Sequence, residues 1–365
     1  MNANSFTRAA PRPLSVYLGA AMALLAPDAT EEERARHQQA MLRMVEGIRK
    51  YQTHHWTRGE TGLETVWQKE TSRLYFCPAA GEKTDTLLIV PSMINGSEIL
   101  DLLPDRSYVR WMAGQGFDVY LLDWGIPVED PGLQDMDGVM QRIQDAARHV
   151  GEKAAAPVKA LGYCMGGTLL LGAAAQQPAL FDDLVLLSAP WDFHAGDARM
   201  LAQVMTGAAS AMQLLEKNPG LPVDWIQNVF ARVNPTLAVN KFSNFLEMAE
   251  DSFEQKVFIA VEDWLNGGQD LPRGVATTCI MNWYGRNAPV QGKWVDPGVL
   301  KGHRILIVAA AKDILVPPES AFAATQQIPQ ASVMQPPCGH ISLMAGRKAP
   351  DMVWQPVLDW LKSRA

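Results

Sequence analysis

Short apolar runs recur along this chain with helical stretches between them, and this alternation limits the fold more than any other feature. Asp85 to Ser92 (DTLLIVPS) is apolar and ends at a proline; Phe117 to Trp124, Val158 to Gly162, Leu184 to Pro190 and Arg304 to Ala311 follow the same plan. Runs this short, bounded by turn residues, fit strands buried on both faces. The intervening stretches Ser107 to Gln115, Asp137 to Gly151 and Gly166 to Gln177 have helical character. The middle one is amphipathic and the last is built of small residues. Thr71 to Cys77 adds an earlier strand and Val353 to Lys362 a last helix. Strands alternating with helices imply an α/β architecture with a mostly parallel, doubly wound sheet.

The alternation breaks once. From Trp191 to about Gly302 no strand of this type occurs, and the stretch is Met-, Asn- and Trp-rich with a mostly helical period. A crossover between neighbouring strands needs only about 20–30 residues. The excess is expected to be a helical cap or lid inserted before the acid-bearing strand end, over the carboxyl edge where such sheets bind ligands. The expected organisation is an N-terminal helical segment at 1–65, a first part of the core at 66–190, the cap at 191–302 and a second part of the core at 303–365. Thr30-Glu31-Glu32-Glu33 is a good helix start, with acids in its first turn. Leu14 to Ala26 is apolar after Arg8 and Arg12. It is too short to span a bilayer and no clear A-x-A site follows, so a buried or interfacial helix is expected rather than a signal peptide.

Composition excludes several classes. With 48% hydrophobic and 19% charged residues over 365 positions, the chain can bury a sizeable core and is not a disordered segment. A net charge of −7 argues against a nucleic-acid binder. Cys77, Cys164, Cys279 and Cys338 are far apart, with no Cys-x-x-Cys pair and no Cys/His cluster at metal-ligand spacing. Free thiols in a reducing, cytoplasmic compartment are expected, without a disulfide framework or a metal. The 17 methionines are scattered and suit core filling or an adaptable apolar lining.

The sharpest chemical signal is Gly162-Tyr163-Cys164-Met165-Gly166-Gly167. A strand ends there, a nucleophile type sits on the turn, and a helix begins at once. Such an elbow holds its central residue in a strained conformation, and flanking side chains would collide with the strand and helix, so Gly162 and Gly166 are needed. The following helix N-terminus favours negative charge at Cys164, and the Met165 N–H is placed to donate to an oxyanion. The acid candidate is Asp313, just past the strand 304–311, and the histidine candidate is His340, in Cys338-Gly339-His340-Ile341 before the last helix. Nucleophile, acid, histidine is the chain order of the α/β-hydrolase fold. Asp192 and Asp123 are the rival acids and His194 the rival histidine, while His37, His54, His55 and His149 are expected to be solvated. A second oxyanion donor is expected from Pro91-Ser92-Met93-Ile94-Asn95-Gly96, with the Met93 N–H the best candidate and Asn95 a loop-shaping residue.

Residues 85 to 345 resemble the polyhydroxyalkanoate synthases, especially the short kind that works with a second subunit. The similarity rests on Val90-Pro91-Ser92-Met93-Ile94-Asn95 with Ile99-Leu100-Asp101-Leu102, on Ser107-Tyr108-Val109-Arg110 with Gly116 to Gly125, on the cysteine-bearing box at 162–167, and on Asp313 with Gly339-His340-Ile341. Ile314 stands where the family usually has histidine, Gly96 replaces a larger residue, and the cap is only loosely similar. The same Gly-Tyr-Cys-x-Gly-Gly string occurs in dienelactone hydrolases, which are compact and lack a long cap.

The resemblance implies an acyltransferase that joins 3-hydroxyacyl-CoA units into a polyester through an acyl-cysteine. CoA would enter as part of the substrate, with no separate cofactor. A second synthase subunit or a second copy of the chain, and a polymer-granule surface, are the implied partners. The residues leave two other readings open. One is a cysteine-dependent hydrolase (thioesterase, lactonase or polyester depolymerase), which would use the same triad and admit water. The other is a non-catalytic binding protein on polymer granules.

Overall fold

A computed structural model describes residues 8–23, 30–234 and 236–363. The chain divides into two compact units, one drawn from Met1–Glu60 and Asp224–Gly267, the other from Thr61–Val223 and Gly268–Ala365. The stretch expected as a single cap therefore divides: 224–267 group with the N-terminal segment, and 191–223 and 268–302 group with the sheet.

The larger unit is built on eight strands: β1 (Glu64–Lys69), β2 (Ser72–Cys77), β3 (Asp85–Val90), β4 (Phe117–Asp123), β5 (Val158–Tyr163), β6 (Phe181–Leu187), β7 (Ile305–Val308) and β8 (Ser332–Met334). Their spatial order is β1-β2-β4-β3-β5-β6-β7-β8. The β1–β2 and β2–β4 pairs are antiparallel. Every pairing from β4 to β8 is parallel. The central strands are buried along nearly their whole length, as parallel strands covered on both faces must be. β1 is largely exposed and β8 is only three residues long, which is why neither stands out in the sequence.

The chain leaves β3 towards β4 on one side and returns to β5 on the other. This reversal opens a crevice at the carboxyl ends of β3 and β5. Four residues singled out for chemistry follow strands at that edge: Met93 after β3, Cys164 after β5, Asp313 after β7 and His340 after β8. In the same unit, helix Arg199–Lys217 and the π-helix Thr278–Gly285 come from the excess between β6 and β7.

The smaller unit is helical. Helix α1 (Leu14–Ala23) and helix α2 (Glu31–Thr53) pack with Leu237–Leu246 and Phe253–Asn266. Their shared core holds Ala21, Met44, Ile48, Tyr51, Phe242, Phe245 and Ile259. Helix α2 starts where the sequence pattern predicts, and Thr30 caps it in a reciprocal arrangement with Glu33. Leu14, Tyr17 and Leu18 of the apolar N-terminal stretch pack on this core; residues 24–26 of that stretch lie outside the described residues. At Gly47 a side chain would collide with the Phe242 carbonyl, so α2 passes directly against the facing helix. Among the described residues, no helix is long and apolar enough to cross a membrane.

Candidate active site

The turn after β5 has the geometry its glycines imply. Cys164 sits at φ 55°, ψ −131°, a sparsely populated conformation for a residue with a side chain. Its N–H donates to the Leu187 carbonyl at 2.8 Å, and its own carbonyl accepts from Gly167 at 2.9 Å. A Cβ at Gly162 would strike the backbone of Gly167, and one at Gly166 would strike the carbonyl oxygens of Val90 and Pro91. A Cβ at Gly167 would lie 2.6 Å from that of Ala189. Helix Met165–Gln176 starts immediately after the cysteine. The leading amides of any helix have no acceptor within it, so the Met165 N–H stands beside the thiol with no intrahelical partner.

The contact at Gly166 also places the start of the loop after β3 against this turn. That loop is pinned by the Trp124 indole N–H, which donates to the Pro91 carbonyl at 3.1 Å, and by Gln269 N–H, which donates to the Ile94 carbonyl at 2.9 Å. Met93 lies within the loop, buried.

Asp313 and His340 are 27 residues apart in sequence, and the His340 Nδ1 stands 2.6 Å from the Asp313 Oδ2. The two loops are held together by an extension of the β7–β8 pairing. Ala309, Ala311 and Lys312 donate to the carbonyls of Met334, Pro336 and Cys338 at 3.0, 2.9 and 2.9 Å. The other carboxylate oxygen of Asp313 accepts the Leu315 and Val316 amides, both at 2.9 Å. Asp313 is 5% exposed. Burial alone would raise its pKa, but the His340 charge, its hydrogen bond, the Val316 amide and the Ser188 hydroxyl outweigh that and hold it below the ordinary value.

The His340 side chain is 9% exposed. Burial disfavours its imidazolium, yet the Asp313 carboxylate and then Cys164, through charge and hydrogen bonding, raise its pKa well above the ordinary value. The structure thus brings Cys164, His340 and Asp313 into one electrostatic group. Nδ1 faces the acid, and the charge of Cys164 also acts on the ring.

The rivals are engaged elsewhere. Asp192 accepts from the Asn287 amide at 2.7 Å, and Asp123 accepts from Gly125 N–H at 2.7 Å and the Ser97 hydroxyl at 3.2 Å. His194 Nε2 stands 2.6 Å from the Tyr284 carbonyl on the protein surface. His54 is a correction: expected to be solvated, it is buried. Helix α2 ends at Thr53, and the extended backbone at His54 turns the ring inward. There Nε2 meets Gln255 Oε1 at 2.9 Å, and Nδ1 accepts the Trp56 N–H at 3.1 Å.

Three supporting residues escape a reading by motif. Tyr163, inside the turn itself, is buried with its ring 5.2 Å from that of His340, and its hydroxyl donates to the His340 carbonyl at 3.3 Å. Burial, then the charges of Cys164 and Asp313, push its phenol pKa up, so it stays a donor. Tyr284, on the π-helix, has its phenol pKa pushed up by burial and then by the charges of Cys279 and Cys164. The third is Ser188, at the end of β6. Its only sequence signal was its place at a strand end. Cys279, half-buried on the same π-helix, has its thiol pKa pushed up to about 12 by desolvation, which disfavours the reactive thiolate. All four cysteines are free.

Among the described residues, His54, His55 and Asp251 place donor atoms within 4.8 Å of one another, as a metal site would. The Trp56 N–H occupies His54 Nδ1, which leaves the ring proton on Nε2 and takes that nitrogen out of use as a ligand.

The strand order and the turn at Cys164 are those of the alpha/beta hydrolase fold, whose family model matches residues 98–346. The chain belongs to this family. Within it, the chain is similar to poly(3-hydroxyalkanoate) polymerase subunits PhaC. It is 30% identical over 323 residues to that of Haloferax mediterranei, covering 84% of this chain and 65% of the relative. It is 28% identical over 298 residues to that of Allochromatium vinosum, covering 76% and 81%. The chain therefore spans just under two thirds of the length of the haloarchaeal relative. Two solved structures share the fold: a thermophilic esterase from Thermogutta terrifontis (TM-score 0.50, 16% identity, 82% of this chain and 97% of the other) and a monoacylglycerol lipase from Paleococcus ferrophilus (TM-score 0.50, 15% identity, 79% and 98%).

Proposed function

We propose that this chain is an acyltransferase that polymerises 3-hydroxyacyl-CoA thioesters into a polyester through an acyl-cysteine on Cys164. The observation that carries the chemistry is the 2.6 Å His340–Asp313 pair beside a cysteine in the strained turn. Similarity to polymerase subunits over most of the chain carries the substrate class.

His340, whose basicity is raised by Asp313, takes the Cys164 proton. The thiolate attacks the thioester carbonyl, and the oxyanion rests on the Met165 and Met93 amides. The carbon–sulfur bond to CoA breaks, and the departing thiolate takes the proton back from His340. The acyl group has passed from one thiol to another, a nearly isoenergetic exchange that keeps it reactive. The hydroxyl of a second hydroxyacyl unit then gives its proton to His340 and attacks the acyl-enzyme. An ester bond forms and the Cys164 sulfur is released. Asp313 holds the imidazole with its proton on Nδ1 throughout. Water must be kept from the acyl-enzyme, a role this reading gives to the segments 191–223 and 268–302, which group with the sheet. No cofactor is required beyond the CoA of the substrate. A second synthase subunit or a second copy, and the surface of a polymer granule, complete the proposed working state.

The test supplies 3-hydroxybutyryl-CoA to the wild type and to Cys164→Ala, and follows CoA release, intact protein mass and product. The wild type is expected to release CoA, gain an acyl mass on Cys164 and form polymer, and the variant to do none of these. Free 3-hydroxy acid without polymer, with or without a second subunit added, would overturn the polymerase assignment in favour of a hydrolase. Full turnover by Cys164→Ala would overturn the triad.

A further inference from the structure

β6 ends at Leu187, and the next residue, Ser188, is fully buried and has a positive φ of 43°. A glycine would take this conformation without strain, whereas a residue with a Cβ holds it only where its surroundings over-determine it. Those surroundings are specific. The Ser188 N–H donates to the Val308 carbonyl at 2.7 Å, which continues the β6–β7 pairing one residue beyond the strand. Its Oγ accepts the Ala310 N–H at 3.4 Å. The Ala310 carbonyl in turn accepts the Asp313 N–H at 3.1 Å, closing the turn that carries the acid. A hydroxyl that accepts one bond keeps its own proton to donate. The hydroxyl's electrostatic influence reaches the Asp313 carboxylate, whose ionised form it favours.

We propose that Ser188 is a positioning residue of the acid–histidine pair, its hydroxyl fixing Ala310 just past β7 and, through it, the turn that presents the Asp313 carboxylate to His340. This rests on the triad assignment made above. The amides of Leu315 and Val316 hold Oδ1 from one side of the turn, and Ser188 holds the start of the turn, at Ala310, from the end of the neighbouring strand. The carboxylate then cannot rotate away as His340 gains and loses its proton. The strained backbone is the geometric condition for this, because it turns Oγ from the sheet towards the β7 loop.

Two variants separate the hydroxyl from the backbone. Ser188→Gly removes the hydroxyl and relieves the positive φ; Ser188→Ala removes the hydroxyl and keeps the strain. CoA release from 3-hydroxybutyryl-CoA and thermal unfolding are measured on both, with Cys164→Ala alongside. The expected result is a fall in kcat of about tenfold or more in both variants, with KM within about twofold, because the lost contact acts on the transition state and not on substrate binding. Both variants leave the Ala310 N–H unpaired, but Ser188→Gly also relieves the strain, so its Tm is expected above that of Ser188→Ala while kcat falls alike in both, and the loss of rate does not track stability. Wild-type kcat in both variants beside an inactive Cys164→Ala would overturn the proposal and leave the triad standing. So would parallel losses of kcat and Tm in both. An active Cys164→Ala would instead remove the triad on which the proposal rests.

Discussion

Asp313→Asn removes the charge that faces His340 and keeps the shape of the side chain. With Nδ1 and Oδ2 at 2.6 Å, the charge centres lie about 4 Å apart, and at an effective dielectric of about 20 their attraction is about 4 kcal/mol. An asparagine oxygen can still accept the Nδ1 proton, and keeping that bond returns part of the attraction. The net loss expected in the step that forms the imidazolium is therefore about 2–4 kcal/mol, or a fall of about 30- to 1000-fold in the rate of Cys164 acylation. His340 itself should change in step. Its pKa is raised because Asp313 and Cys164 outweigh burial; without the carboxylate, burial gains weight and the value moves down. The assay is a single turnover with 3-hydroxybutyryl-CoA, following CoA release and the acyl mass on the protein, with Tm measured on the same samples. A variant that acylates within about threefold of the wild type, at unchanged Tm, would refute the reasoning.

The same pair makes stability pH-dependent. The folded pKa of Asp313 is lowered, so its contribution is complete above the ordinary value of 3.8 and is lost as pH falls towards the folded value. His340 is raised, so its contribution is complete below 6.5 and is lost as pH rises through the folded value. The Tm gap between wild type and Asp313→Asn should narrow on acidification below about pH 4; a constant gap down to about pH 3 would contradict this. Gly166→Ala would drive a methyl group into the carbonyl oxygens of Val90 and Pro91, which cannot move without the sheet, and chemical denaturation should show a loss of about 1–3 kcal/mol or more. Unchanged stability there would mean that the turn is looser than its geometry indicates. In the helical unit, Gly47→Ala meets the Phe242 carbonyl and should cost a similar amount by overpacking the helix contact, about 1–3 kcal/mol, with no change expected in a chemical step run at low temperature.

Much of this molecule is local, and local features are legible in order along the chain. The strands from Asp85–Val90 to Ile305–Val308 announce themselves as apolar runs because both their faces are buried. Thr30 and Glu33 mark a helix start through a bond that needs no tertiary partner. The glycines around Cys164 reveal the turn because their absent side chains are a property of the residues themselves. Only the tertiary structure decided the rest. β1 and β8 carry little apolar signal, being exposed or very short, and exist through pairing with their neighbours. Residues 224–267 joined the N-terminal helices, not the sheet, because helical periodicity shows that a face will be buried without saying against what. The burial of His54 and the engagement of Asp192 by Asn287 likewise depend on partners far away in sequence. The meeting of Asp313 with His340 follows from the ladder between β7 and β8 that continues into their loops. Beyond its place at a strand end, Ser188 gave no sign in the sequence, because its distinguishing feature is a backbone angle set by the tertiary structure.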